Sequence, residues 1–155
     1  MKIFIYTIII LVAIVVIAGF FVVGSPQQER LRRFDERRTQ DLQNIQYQII
    51  NYWTSKSMLP IALSNLNDSI SGFIVPKDPV TGLDYVYRIK NSGQLIFELC
   101  ANFETSNSNN EINIVKAPSL YSIRENWQHD KGARCFERKI DPQLYPPRIP
   151  KNNVF

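Results

Sequence analysis

Two cysteines, one histidine and the acidic residues are the side chains in this chain whose types could do chemistry. Cys100 and Cys135 lie outside the closely spaced Cys and His pairs of a zinc site. A Cys/Cys/His site completed by His129 matches no familiar ligand spacing, so no metal is expected. The run Trp127-Gln128-His129-Asp130 sets an imidazole beside a carboxylate, as an acid/base pair would need. Adjacency along the chain says nothing about pairing in space, and no nucleophile or Gly-rich oxyanion loop accompanies the run. No catalytic residue and no cofactor are therefore assigned, and the chain is read as a non-enzyme. An enzyme would have to be built around His129. The cysteines admit two readings. In an exported domain they form a disulfide that closes a long polar loop and stabilises by roughly 3–4 kcal/mol. In a cytoplasmic domain they are two buried thiols.

The charged residues that could bind a partner cluster early. Arg30, Arg32, Arg33, Arg37 and Arg38 form a basic group in a chain of 155 residues with 18 basic, 14 acidic and a net charge of +4. Such a group could contact anionic headgroups at about 1 kcal/mol per residue. Equally, it could be a solvated helix face on which Glu29, Asp35, Glu36 and Asp41 pair with the arginines. Nucleic acid is not expected as a partner, because acids interleave with the arginines and no exposed aromatic run joins them.

An uncharged stretch, residues 3–23, precedes this cluster, broken only by Tyr6, Thr7 and Gly19. As a helix it would span about 30 Å, the thickness of a hydrocarbon core, and it has no polar face. It is read as a single-pass membrane anchor, residues 1–24, with the lipid bilayer as its partner. A cleaved signal peptide is the rival reading, since Val22-Val23-Gly24-Ser25 supplies small residues, but its apolar region usually runs about 7–15 residues. The arginines after the span, taken literally under the positive-inside rule, place the C-terminal domain in the cytoplasm.

Gly24-Ser25-Pro26 breaks the apolar pattern, and residues 25–141 read as one globular domain. The spacing of Leu31, Phe34, Leu42, Ile45, Ile49 and Tyr52 predicts an amphipathic helix over 27–56, with Trp53 widening the stripe and Arg38 interrupting it. The helix is therefore expected to pack on the domain from Leu42 onward. Residues 61–66 suggest a short second helix. Pro76 to Gly82 reads as loop. Alternation predicts strands over 83–89 and 95–103, with Tyr85, Tyr87 and Phe97 turned to one face and a hairpin at Asn91-Ser92-Gly93-Gln94. A last strand is expected over 134–140, a polar loop over 105–113, and a Pro-rich extended tail over 142–155. The fold class is α+β: a long N-terminal helix, transmembrane then amphipathic, packed on a small antiparallel sheet. Leu42, Ile45, Ile49, Tyr52, Trp53, Tyr85, Tyr87 and Phe97 are the expected helix–sheet contacts.

Two segments resemble type IV pilins and the pseudopilins of type II secretion. Arg38-Thr39-Gln40-Asp41-Leu42-Gln43-Asn44-Ile45 through Tyr52, then Leu59-Pro60, resembles the pseudopilin helix and the turn that ends it. Pro76-Lys77-Asp78-Pro79 to Gly82, joined to Tyr85 and Tyr87, is similar to the Pro-x-Asp-Pro-x-x-Gly-x-x-Tyr stretch of major pseudopilins. The chain departs from that family in carrying no Glu within its apolar run, and in placing Gly19-Phe20 near the far end of the run. It also resembles uncharacterised membrane-anchored proteins of small-genome bacteria, through Gly24-Ser25-Pro26, Asp41-Leu42-Gln43 and Cys135-Phe136-Glu137-Arg138. The pilin resemblance implies a pilin-like fold, an extracytoplasmic domain, other pilin-like subunits as partners and a structural role in the cell envelope. A tethered binding module that does not assemble is the alternative.

Overall fold

The computed structural model describes residues 2–23, 26–107 and 126–148. It is α+β, with helices and a three-stranded antiparallel sheet. The chain falls into two compact units, Met1–Arg33 and Phe34–Phe155.

In the first unit, helix α1 runs over Lys2–Val23 with no acidic residue in its first turn and no basic residue in its last. The side chains described over residues 3–16 are exposed all round the helix. Among the described residues no helix is long and apolar enough to cross a membrane.

Helix α2, Pro26–Lys56, matches the expected boundaries closely. Pro26 suits a first turn, where its missing N–H costs nothing, and Glu29 and Lys56 complement the two ends of the helix dipole. Ser57 stops the helix with φ 58° and donates its N–H to the Trp53 carbonyl at 2.8 Å. That is the left-handed cap usually given to glycine, and Leu59-Pro60 prevents resumption.

The second unit is organised by the sheet. Strands β1, Val86–Asn91, β2, Ile96–Phe103, and β3, Gly132–Lys139, lie in the order β1-β2-β3, each antiparallel to its neighbour. One face of β2 presents Phe97, Leu99, Ala101 and Phe103, all buried, and Phe136 of β3 joins them. Leu42, Ile45 and Ile49 of α2 are fully buried in the same core cluster, with Tyr52, Trp53 and Tyr87 packed at its margin. Burying one such aliphatic side chain contributes roughly 1.5–3 kcal/mol. The β1–β2 hairpin lies where the turn signal places it. Asn91 Oδ1 accepts the Gln94 N–H at 3.0 Å, and Leu95 takes a positive φ of 57°. Leu95 is no glycine, but its side chain is buried and its carbonyl accepts the Ile140 N–H at 3.1 Å, which hold it there.

Four expectations need correction. Strand β1 starts at Val86, because residues 78–83 close on themselves: Asp78 N–H donates to the Leu83 carbonyl, and Gly82 N–H donates to the Asp78 carbonyl, both at 2.9 Å. Leu83 therefore stays exposed. Of the suggested second helix only a 3-10 turn forms, Leu63–Leu66. The start of the tail is turned, not extended: Leu144 and Tyr145 N–H groups both donate to the Asp141 carbonyl. The tail then docks on the end of α2, with Trp53 Nε1 donating to the Tyr145 carbonyl at 3.0 Å and Arg148 N–H to the Thr54 carbonyl at 2.7 Å. Finally, the packed face of α2 begins well before Leu42, at Asp35 and Arg38. The remainder of the tail, 149–155, and most of the 105–113 loop lie outside the described residues.

A candidate functional site: the ionic clamp between helix α2 and the Pro76–Tyr85 loop

Asp35, Arg38 and Asp41 recur every three residues and, with Leu42, share the face of α2 that continues to Ile45 and Ile49. In the sequence Arg38 groups with the solvated basic cluster. The structure instead makes it one of the most deeply buried large side chains, 1% exposed. Its Nε donates to Asp78 Oδ2 at 2.6 Å and its Nη2 to Asp78 Oδ1 at 3.2 Å, a two-pronged contact with the loop. Its Nη1 donates to Asp35 Oδ1 at 2.8 Å. A planar guanidinium suits this two-sided grip because its N–H fork is fixed.

Each carboxylate is tied to a different part of the fold. Asp78 sits between Pro76 and Pro79 and accepts the Val80 and Thr81 N–H groups at 3.0 and 2.8 Å. Asp35 accepts the N–H groups of Glu104 and Thr105 and the Thr105 hydroxyl, reaching the chain just beyond β2. One turn further along the helix, the Tyr85 hydroxyl donates to Asp41 Oδ2 at 2.9 Å, while Arg37 lies 3.3 Å from the other oxygen. The Pro76–Tyr85 loop is thus fastened to α2 twice, by Asp78 and by Tyr85.

Burial works against the Asp78 charge, but Arg38 and the Thr81 and Val80 amides outweigh it and hold the carboxyl at about 2. Burial also works against the Arg38 charge. The bonds to Asp78 and Asp35 more than offset it, leaving the guanidinium above its ordinary value. Asp41 moves the other way: burial raises it, and the bonds from Tyr85 and Arg37 recover only part of the shift. Burial first, and Asp41 second, push the Tyr85 hydroxyl upward. Tyr87, whose hydroxyl donates to the Pro60 carbonyl, is pushed by burial to about 12. These charges bind one another and the backbone, so the arrangement fixes the loop to the helix. Sequence reasoning pairs Asp35 and Asp41 with the arginines of a solvated face and quotes Asp78 only within the loop motif; the burial of all three carboxylates around the α2–loop contact escapes it. The available signal was their phase: Asp35 and Asp41 flank the gap in the apolar stripe that Arg38 occupies.

The other expected residues are dispersed over the fold. Arg30, Arg32 and Arg33 are exposed on the first turns of α2, and Arg33 pairs with Glu29 at 3.5 Å. Arg37 is exposed and pairs with Asp41. Cys100 and Cys135 face each other across β2 and β3, with their sulfurs 2.07 Å apart, at disulfide distance. Glu98 lies within 4.8 Å of both sulfurs. That donor set does not suit a metal: the sulfurs are bonded to each other, and Arg88 and Lys90 hold the carboxylate at 3.0 Å. His129 is buried against Phe103, while Asp130 pairs with Arg134. An open groove of about 460 Å³ runs beside the loop, lined by Ile61, Ile74, Val75, Tyr85 and Tyr87, with Ile61 and Ile74 largely exposed.

No protein family, curated protein or solved structure matches this chain.

Proposed function

We propose that the chain is a membrane-anchored, pilin- or pseudopilin-like structural or interaction protein of the cell envelope, without enzymatic activity. The observation that carries this reading is the seating of α2. Leu42, Ile45 and Ile49 lie in one core with the sheet, and the Pro76–Tyr85 loop is bonded to α2 through Arg38–Asp78 and Asp41–Tyr85. The clamp holds α2 to the head from Asp35 onward. Residues 3–23 supply the anchor, being uncharged and long enough as a helix to span about 30 Å. The exposed Arg30, Arg32, Arg33 and Arg37 suit anionic headgroups beside the anchor. Export of the domain is favoured by the cysteine pair, since disulfides persist in oxidising compartments.

Assembly with like subunits belongs to this reading, and in-cell cross-linking tests it. A ladder of oligomers is expected, whereas a lone monomer at every cross-linker length would exclude assembly. The groove with exposed Ile61 and Ile74 favours a second reading, a tethered binding module that never assembles. The lone monomer is its expected result.

A further inference from the structure

His129 is the chain's only histidine, and it belongs to a short strap, residues 126–131, that leads into β3. Its ring is 4% exposed and stacks on Phe103 with centroids 3.7 Å apart and planes 17° from parallel. Its Nδ1 is buried and has no hydrogen-bond partner among the described residues. A neutral imidazole tolerates that, because the bare nitrogen is only an unused acceptor. A protonated one does not, since Nδ1 becomes a charged donor with nothing to receive its proton.

The strap is fastened around this ring. Asn107 N–H donates to the His129 carbonyl at 3.0 Å, and His129 N–H returns a bond to Asn107 Oδ1 at 2.7 Å. Trp127 lies 4.7 Å from Phe136, with the Arg138 guanidinium 4.2 Å over its indole. We propose that His129 makes this strap an acid-released latch, in which proton uptake by the buried imidazole detaches residues 126–131 from the sheet.

Charged groups approach the ring from the elements packed on it. Asp35 comes from α2, with its charge already held by Arg38, Glu104 and Thr105. Phe103, the residue of β2 stacked on the ring, is uncharged. From the strap comes Asp130, paired with Arg134 of β3. Glu137 and Arg138 of β3 line, with His129 and Asp130, an open polar groove of about 410 Å³. Burial dominates and pushes the imidazole below its ordinary value; Asp35 and the Thr105 backbone oppose, while Arg134 reinforces. A group whose folded value is lowered loses stability as pH falls below its unfolded value of about 6.5. The window is therefore mildly acidic.

Because the chain has one histidine, a single ring resonance reports it. The experiment is an NMR titration of ring-labelled full-length protein in detergent micelles, paired with hydrogen exchange of residues 126–131. The imidazole should titrate below 6.5. The opening constant of the strap, corrected for intrinsic exchange, should rise by up to ~30-fold between pH 7.5 and pH 5. In H129F, which keeps a ring on Phe103 but cannot take the proton, the strap should show no such rise. An imidazole titrating at or above 6.5, or a strap opening equally in both proteins, would overturn the latch. Should H129F fail to fold, the wild-type titration and its own exchange profile decide the matter.

Discussion

Replacing Arg38 with methionine keeps a long apolar stem in the site and removes three N–H bonds, two to Asp78 and one to Asp35. Both carboxylates would remain buried without their cation. Removing one partner of a buried pair costs ~3–5 kcal/mol. The lower part of that range is expected here, because Asp35 keeps its bonds from residues 104 and 105 and Asp78 keeps two backbone amides. For a domain of this size, ~3–4 kcal/mol lowers Tm by roughly 10–20 °C. The assay is urea unfolding of the full-length protein in micelles, monitored by the fluorescence of Trp53 and Trp127. The pH dependence is the sharper part. With Arg38 gone, burial raises Asp78, so the carboxyl can neutralise itself in acid and the penalty should shrink between pH 7 and pH 4. A loss below ~1 kcal/mol at pH 7, unchanged at pH 4, would refute the claim that this is a buried, charge-dependent clamp.

Further expectations concern the other parts of the fold. Asp78 is near 2 when folded and 3.8 in its reference state, so its contribution is complete above ~4 and is lost as pH falls through about 2. D78N should flatten that acid limb in a pH-dependent melting series. Tyr87 is held near 12, so its contribution is present below pH 10 and lost as pH rises through 12. Y87F should resist alkaline unfolding over that window, read by circular dichroism. Replacing both cysteines by serine opens a loop with 35 residues of separation, for a loss of roughly 3–4 kcal/mol in urea unfolding. An equal urea midpoint would show that the crosslink contributes nothing. Ile45→Ala, at a fully buried position, should cost ~2–5 kcal/mol in the same assay.

The elements with strong periodicity were legible in the sequence. The 3.6-residue spacing from Leu42 to Tyr52 marked α2, and two-residue alternation marked β2, whose Phe97, Leu99, Ala101 and Phe103 face the core as expected. The hairpin was legible because Asn91-Ser92-Gly93 is turn chemistry. What escaped depends on long-range polar pairing. Arg38 reads as a surface residue in any hydropathy pattern, and its burial becomes tolerable only with two carboxylates, Asp35 one turn before it and Asp78 forty residues on. The start of β1 escapes for a local reason instead. Alternation continues back through Leu83, but Asp78 and Gly82 close that segment into a loop before it can pair. The prolines of the tail mark where a helix cannot continue, and they carry no information about the bond between Trp53 and Tyr145.

Whether residues 3–23 hold this clamped domain on a bilayer is the central question. Carbonate extraction of membranes from cells producing the full chain tests it most directly, alongside a chain beginning at residue 26. The full chain should stay in the washed membrane pellet and the shortened one should move to the supernatant, still folded. A full chain released by carbonate, or found free of membranes before the wash, would contradict membrane anchoring by this segment.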